Sequence, residues 1–115
     1  MSEKRSAILP QLTKYCNETL ILSALCEEKK HGYDLALHIE SKSESYFSFH
    51  HGTLYPILHK LEKEGLIRGS WKREGPKRRR KYYSLTPRGR KDLNARAAEW
   101  QTFCAKITMM TKEAS

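Results

Sequence analysis

The sequence predicts a mainly α-helical fold carrying one β-hairpin, and three observations predict it. Apolar residues recur every three or four positions through several separate stretches. A turn signal, Glu74-Gly75-Pro76-Lys77, divides two short runs rich in aromatic and β-favouring residues. A Thr86-Pro87 pair then opens a last helical stretch longer than the others. With 115 residues, 38% hydrophobic and 30% charged, the chain has room for one core and no second.

Residues 1–10 are polar apart from Ala7-Ile8-Leu9, and Pro10 closes them, so this end is expected to be frayed or lightly docked. A first helix is expected from Gln11 to Glu28. Leu12, Tyr15, Thr19, Leu22 and Cys26 follow helical spacing, and Ile21 and Leu25 widen the stripe. Lys29-Lys30-His31-Gly32 reads as a turn, because cations suit a helix C-terminus and glycine permits positive φ.

A second helix, about Tyr33 to Lys42, turns Leu35 and Ile39 inward. The polar stretch Ser41 to Ser48 follows, with Ser48 as the expected cap. The third helix spans roughly His50 to Glu64 and stops at Gly65. Its buried stripe is Leu54, Ile57, Leu58 and Leu61, facing Leu22, Leu25, Leu35 and Ile39. Pro56 lacks the N–H of a helix interior, which argues for a regular helix starting later than His50.

Strands are expected over Leu66 to Arg73 and Arg80 to Leu85, joined at a basic tip. Thr86 caps the last helix, which runs to about Met110, ~36 Å at 1.5 Å per residue. Three helices, a hairpin and a long helix form the winged helix-turn-helix order. There the third helix enters the major groove and the hairpin, or wing, grips the flanking backbone. Residues 1–86 are thus expected to be the DNA-binding domain, and 87–115 a dimerisation helix of the same compact unit.

The charge is concentrated where that order wants it. Between Arg68 and Lys91 stand eleven basic residues and one acid, Glu74, whereas the rest of the chain nearly balances within a net charge of +9. Such a run is often only a solvated surface. Here Trp71, Tyr82 and Tyr83 interleave it, which fixes the charge on a folded element and points to a polyanion, double-stranded DNA above all.

Other classes find little support. No apolar run approaches the ~20 residues of a membrane span. Three cysteines without C-x-x-C spacing argue against a disulfide framework and for a reducing, cytoplasmic setting. His50 and His51 are adjacent and so point apart on a helix, while His31, His38 and His59 are scattered, so neither a metal nor a cofactor is expected. Nucleophile elbows and phosphate-binding glycine loops are lacking, so an enzyme is not expected.

On the third helix, Gly52, Pro56, His59 and Lys63 fall opposite the leucine stripe, with Tyr55 and Lys60 on the flanks. His51 and Thr53 are assigned to base or phosphate contact, Tyr55 to a phosphate hydrogen bond, and His59, Lys60 and Lys63 to the same interface. Lys77, Arg78, Arg79, Arg80 and Lys81 supply the wing. The plain alternative is that Tyr55 is a boundary core residue and the lysines are solvated charges.

In the last helix Leu93, Ala97, Trp100, Cys104, Ile107 and Thr111 alternate spacings of four and three, with Phe103 alongside, as in a helix seam. A homodimer is expected, against the alternative of an internal packing helix. Trp100 is read either as the border of a cavity between subunits, open to a flat aromatic effector, or as a packed side chain.

Four motifs together resemble the PadR family of bacterial transcriptional regulators. They are His31-Gly32-Tyr33-Asp34-Leu35, Gly52-Thr53-Leu54-Tyr55-Pro56, Leu61-Glu62-Lys63-Glu64-Gly65-Leu66-Ile67, and Arg80-Lys81-Tyr82-Tyr83-Ser84-Leu85-Thr86 with Gly89 after it. The resemblance implies a homodimeric winged-helix repressor of the short class, bound to an inverted repeat and released by an effector. It also implies an interface aromatic that stacks on flat ligands, a place Trp100 matches. The stretch Phe47-Ser48-Phe49-His50-His51 is more aromatic than the family's usual approach to the third helix. Two rival classes are a non-specific nucleic-acid binder using only the wing, and a winged-helix protein-interaction module.

Overall fold

The computed structural model describes residues 2–112, with side chains from Gln11 onward. The elements are α1 (Ser2–Glu27), β1 (Lys30–His31), α2 (Gly32–Lys42), α3 (His51–Lys63), β2 (Ile67–Arg73), β3 (Arg79–Leu85) and α4 (Pro87–Thr111). This is the winged helix-turn-helix arrangement with a long C-terminal helix. The expected frayed segment is instead helical from Ser2, and α1 carries Pro10 within it. Extending a formed helix adds one hydrogen bond per residue, whereas starting one is costly.

The turn expected at 29–32 holds a strand. Lys30 pairs with Tyr83 and His31 with Tyr82, which gives a three-stranded antiparallel sheet in the order β1-β3-β2. Gly32 opens α2 and is not left-handed; positive φ occurs at Gly65 (78°) and Gly75 (91°). What requires a glycine at 32 is proximity, since a Cβ there would lie 2.8 Å from the Tyr55 hydroxyl. A methyl at Gly89 would likewise overlap the Leu66 carbonyl.

Helix α3 begins at His51, capped by the backbone of His50 rather than by Ser48. The His50 carbonyl accepts from Thr53 N–H at 2.9 Å and Leu54 N–H at 3.0 Å, and the exposed His51 and Gly52 leave their N–H groups to solvent. Pro56 lies inside the helix and does not delay its start. The carbonyl its missing N–H would have served belongs to Gly52, and both residues are exposed, where water is available. At the other end Leu66 N–H reaches Leu61 O (3.0 Å) and Gly65 N–H reaches Glu62 O (3.0 Å), closing α3 as a Schellman motif around left-handed Gly65.

Leu54, Leu58 and Leu61 of α3 are fully buried with Ile21, Leu22 and Leu25 of α1 and with Leu35 and Ile39 of α2. Ile57, expected in the same stripe, is only half-buried at its edge. Leu66, Ile67 and Tyr83 attach the wing to this core. Strands β2 and β3 pair in register from Ile67↔Leu85 to Arg73↔Arg79. The Thr86 hydroxyl accepts from Gly89 N–H at 2.9 Å and caps α4.

Helix α4 runs antiparallel to α1. Arg96 donates to Glu18 (3.0 Å), Tyr15 to Glu99 (2.6 Å), and the Trp100 indole to Thr19 (3.1 Å). Residues 101–112 are all exposed.

Candidate nucleic-acid interface

An open groove of about 630 Å³ lies between the start of α2, the middle of α3 and the wing. His31, Tyr33, Tyr55 and His59 line its helical side, and Trp71, Arg78, Arg79, Arg80, Lys81 and Tyr83 its wing side. The leucine stripe of α3 is consumed by the core, so the opposite face must point outward. His51, Thr53, Tyr55, His59 and Lys63 are all exposed there.

The aromatic rings on this face are ordered among themselves. Tyr33 stacks on His51 with centroids 6.4 Å apart, and His51 on Tyr55 at 5.9 Å, with interplanar angles of 16° and 15°. Sequence position alone does not place Tyr33 at the site. Its signal is an exposed aromatic directly after a glycine in the motif that opens α2. Gly52, beside His51, has open space where a side chain would be, which leaves the backbone approachable.

The cations divide into two sets. Among the described residues, Lys77, Arg78 and Arg79 make no ion pair, and Arg79 lies over the Trp71 ring at 5.2 Å. Lys60, Arg80 and Lys81 are committed within the chain. The Lys60 ammonium is 2.8 Å from Glu18 and 3.6 Å from Glu64, and the Glu18 hydrogen bond holds its pKa above the ordinary lysine value. Lys81 is 2.9 Å from Glu62, which raises its pKa in the same way, and it lies 5.4 Å from the Tyr83 centroid. Arg80 meets His31 at 2.9 Å and Glu74 at 3.4 Å. Trp71 is therefore a structural member of the site: 60% exposed, it is a platform under Arg79 and Lys81.

The residues expected at a subunit seam do not stay together. Leu93 is 8% exposed and packs into the chain's own core, so it is withdrawn from the seam. Ala97 and Trp100 are half-buried, Trp100 against Tyr15 and Thr19 of α1, while Phe103, Cys104 and Ile107 are exposed. Leu12, Tyr15, Glu99, Trp100 and Phe103 surround a shallow hollow of about 300 Å³. Trp100 is fixed there by its indole hydrogen bond, with the Tyr15 and Phe103 rings at 5.6 and 5.7 Å.

The framework that builds the groove is shared with known proteins. The family model of the PadR-like transcriptional regulators matches residues 21–95, from the last two turns of α1 through the wing into α4. The negative transcriptional regulator PadR of Bacillus subtilis (strain 168) is 32% identical over 74 residues, a match that takes in 64% of this chain and 41% of that protein. The chain thus spans less than half the length of that relative. A transcriptional regulator from Clostridium thermocellum superposes with a TM-score of 0.78 at 30% identity, covering 86% of this chain and 96% of the other. Bacillus subtilis PadR in complex with operator DNA superposes with a TM-score of 0.65 at 30% identity, over 70% of this chain and 44% of that one. No helix among the described residues is long and apolar enough to cross a membrane. On these matches and this fold, the chain belongs to the PadR-like family of transcriptional regulators.

Proposed function

We propose that the chain is a sequence-specific DNA-binding repressor, acting in the cytoplasm as a homodimer on an inverted-repeat promoter site and released by a small-molecule effector. The observation that carries this reading is the groove in which the exposed face of α3 and the basic wing converge. A relative of the same fold solved with operator DNA supports it. In this reading His51, Thr53, Tyr55 and His59 meet base edges and nearby phosphates, Lys63 adds a phosphate contact, and Lys77, Arg78 and Arg79 hold the flanking backbone. Lys60, Arg80 and Lys81 contribute at the cost of an internal partner. Residues 1–86 bind DNA, and the helix from 87 onward joins the subunits. The hollow at Trp100 takes a flat aromatic effector, which two copies of the seam would enclose.

The test is binding to the protein's own promoter region and to a scrambled duplex across a salt series. A preference of ~10³-fold for the promoter is expected. Equal affinities falling together with salt would instead identify a charge-driven nucleic-acid binder. Absence of binding to either duplex would favour the protein-interaction module. Effector binding is read from Trp100 fluorescence in a Trp71→Phe background, with a panel of flat aromatic compounds.

A further inference from the structure

Gly69 stands in the interior of β2, where a glycine weakens a strand and offers nothing to pack. Its backbone is not left-handed, so conformational freedom does not account for it. Space accounts for it. A methyl at 69 would overlap Lys81 Cε and stand 3.0 Å from Glu62 Oε2. The pairing register sets Gly69 opposite Tyr83 and Trp71 opposite Lys81. The Lys81 side chain therefore leans back along the sheet, out of its own row and into the gap at residue 69. From there its ammonium donates to Glu62 of α3 at 2.9 Å, with the Tyr83 and Trp71 ring centroids at 5.4 and 5.9 Å.

This strap joins the two sides of the groove. Lys81 comes from the wing and Glu62 from the last turn of α3. Leu66, Ile67 and Tyr83 fix the base of the wing in the core, but β2 is exposed from Ser70 to Arg73. A two-stranded ribbon beyond the core has little of its own to hold its angle. Among the described residues, no other ion pair or side-chain hydrogen bond links α3 to β2 or β3. The strap acts two residues from Arg79, one of the wing cations without an ion pair. Lys81 could reach a phosphate only by giving Glu62 up.

We propose that Lys81 is a positioning residue that acts on DNA through Glu62: it braces the wing at a fixed angle to α3, and Gly69 is the gap through which the brace passes. This rests on the DNA-binding reading above and deepens it, since Lys81 serves the interface by keeping its internal partner. On a promoter site α3 is seated in one register, and the wing must then meet the flanking backbone at one angle. On an unrelated duplex α3 has no seat, and the wing cations bind at any angle. The brace therefore raises the preference for the promoter without the wing reading a base.

Three variants separate the brace from a direct phosphate contact. Glu62→Gln removes the anchor, Lys81→Met removes the cation, and Gly69→Ala pushes Lys81 aside while leaving every charge in place. Each is expected to lower the ratio of promoter to scrambled-duplex affinity several-fold. Lys81→Met in the Glu62→Gln background should lower it no further, because the two residues act as a unit. A direct contact predicts the opposite sign: Glu62→Gln frees the ammonium and tightens binding, and Lys81→Met alone reduces the salt slope by ~0.9. That result would overturn the proposal. So would an unchanged ratio with both affinities lowered together, the mark of a variant that merely unfolds in part. In the free protein, residual dipolar couplings of β2 and β3 amides relative to those of α3 report the angle of the wing. They are expected to shrink beyond Gly69 in all three variants, and couplings equal to wild type would show that the wing holds its angle without the strap. Should neither wild type nor any variant bind either duplex, the DNA-binding reading fails, while the couplings still decide whether Lys81 braces the wing.

Discussion

Glu18 ties three helices together with one carboxylate. It is 3% exposed on α1, with Lys60 of α3 at 2.8 Å and Arg96 of α4 at 3.0 Å. Burial alone would raise its pKa, but the hydrogen bonds and charges of Lys60 and Arg96 outweigh burial and hold it below the ordinary glutamate value. A carboxyl depressed in the folded state stabilises the fold above its unfolded pKa, ~4.3, and that contribution is lost as pH falls through the lower folded value. Glu18→Gln keeps the shape and removes the charge. It is expected to cost about 1.5–3 kcal/mol at pH 7, since both cations retain a second carboxylate, Glu64 or Asp92. The cost should shrink on acidification. Urea unfolding of both proteins at neutral and acid pH checks this, and equal losses at both would show that the carboxylate's charge is irrelevant.

At the scale of elements, α3 and the wing divide recognition between shape and charge. Leu58 is fully buried against α1 and α2, so Leu58→Ala should cost about 2–5 kcal/mol in thermal or urea unfolding. An unchanged melting curve would contradict the placement of α3. The wing variant Lys77→Ala/Arg78→Ala/Arg79→Ala touches no core residue. Every cation taken away from a phosphate should reduce the slope of log affinity against log salt by ~0.9, with the preference for promoter over scrambled duplex preserved. Tyr33→Ala should do the reverse, eroding preference through the disordered stack on His51 while the salt slope stays. A wing variant without that preference would show that the wing reads sequence.

These elements are legible in the sequence to different degrees. The leucine stripe of α3 and the turn at Gly75 have local causes, periodicity and backbone chemistry, and both stand where the sequence places them. Strand β1 has no local cause: two residues make a strand only because β3 offers them an edge, and that edge exists only after folding. The same holds for Lys60 and Lys81, whose partners lie on other elements and remove them from the free charge a residue count assigns to the interface. Tyr33 owes its place to a neighbour, His51, that is near only in three dimensions.

On the scale of the whole molecule, α4 does two things in succession along its length. Through Leu93, Arg96 and Trp100 it is bound to its own α1 and core. Beyond Trp100 it runs on toward one end of a molecule measuring 60 × 27 × 26 Å overall, with Phe103, Ile107 and Met110 exposed by 46%, 50% and 82%. Those residues recur at i, i+4 and i+7, which puts them on one face. The heptad pattern in the sequence merges both parts into one seam, because a buried internal contact and an intersubunit contact ask for the same residue types; only packing separates Leu93 from Ile107. If the outer part joins two subunits, their recognition helices should meet sites about one turn of DNA apart, roughly 34 Å. Phe103→Lys/Ile107→Lys places like charges across such a seam; within the chain it gives up the edge-on contact of Phe103 with Trp100 and leaves the Leu93 and Arg96 contacts in place. It is expected to sediment as a monomer with a nearly unchanged melting temperature, and to bind a full inverted repeat no better than one half-site. Inserting about half a helical turn between half-sites should weaken wild type toward the same level, because the second site then faces away. A double variant that stays dimeric would move the seam elsewhere. One that becomes monomeric yet keeps full affinity would mean that each subunit reads its site alone, and that α4 serves assembly without serving recognition.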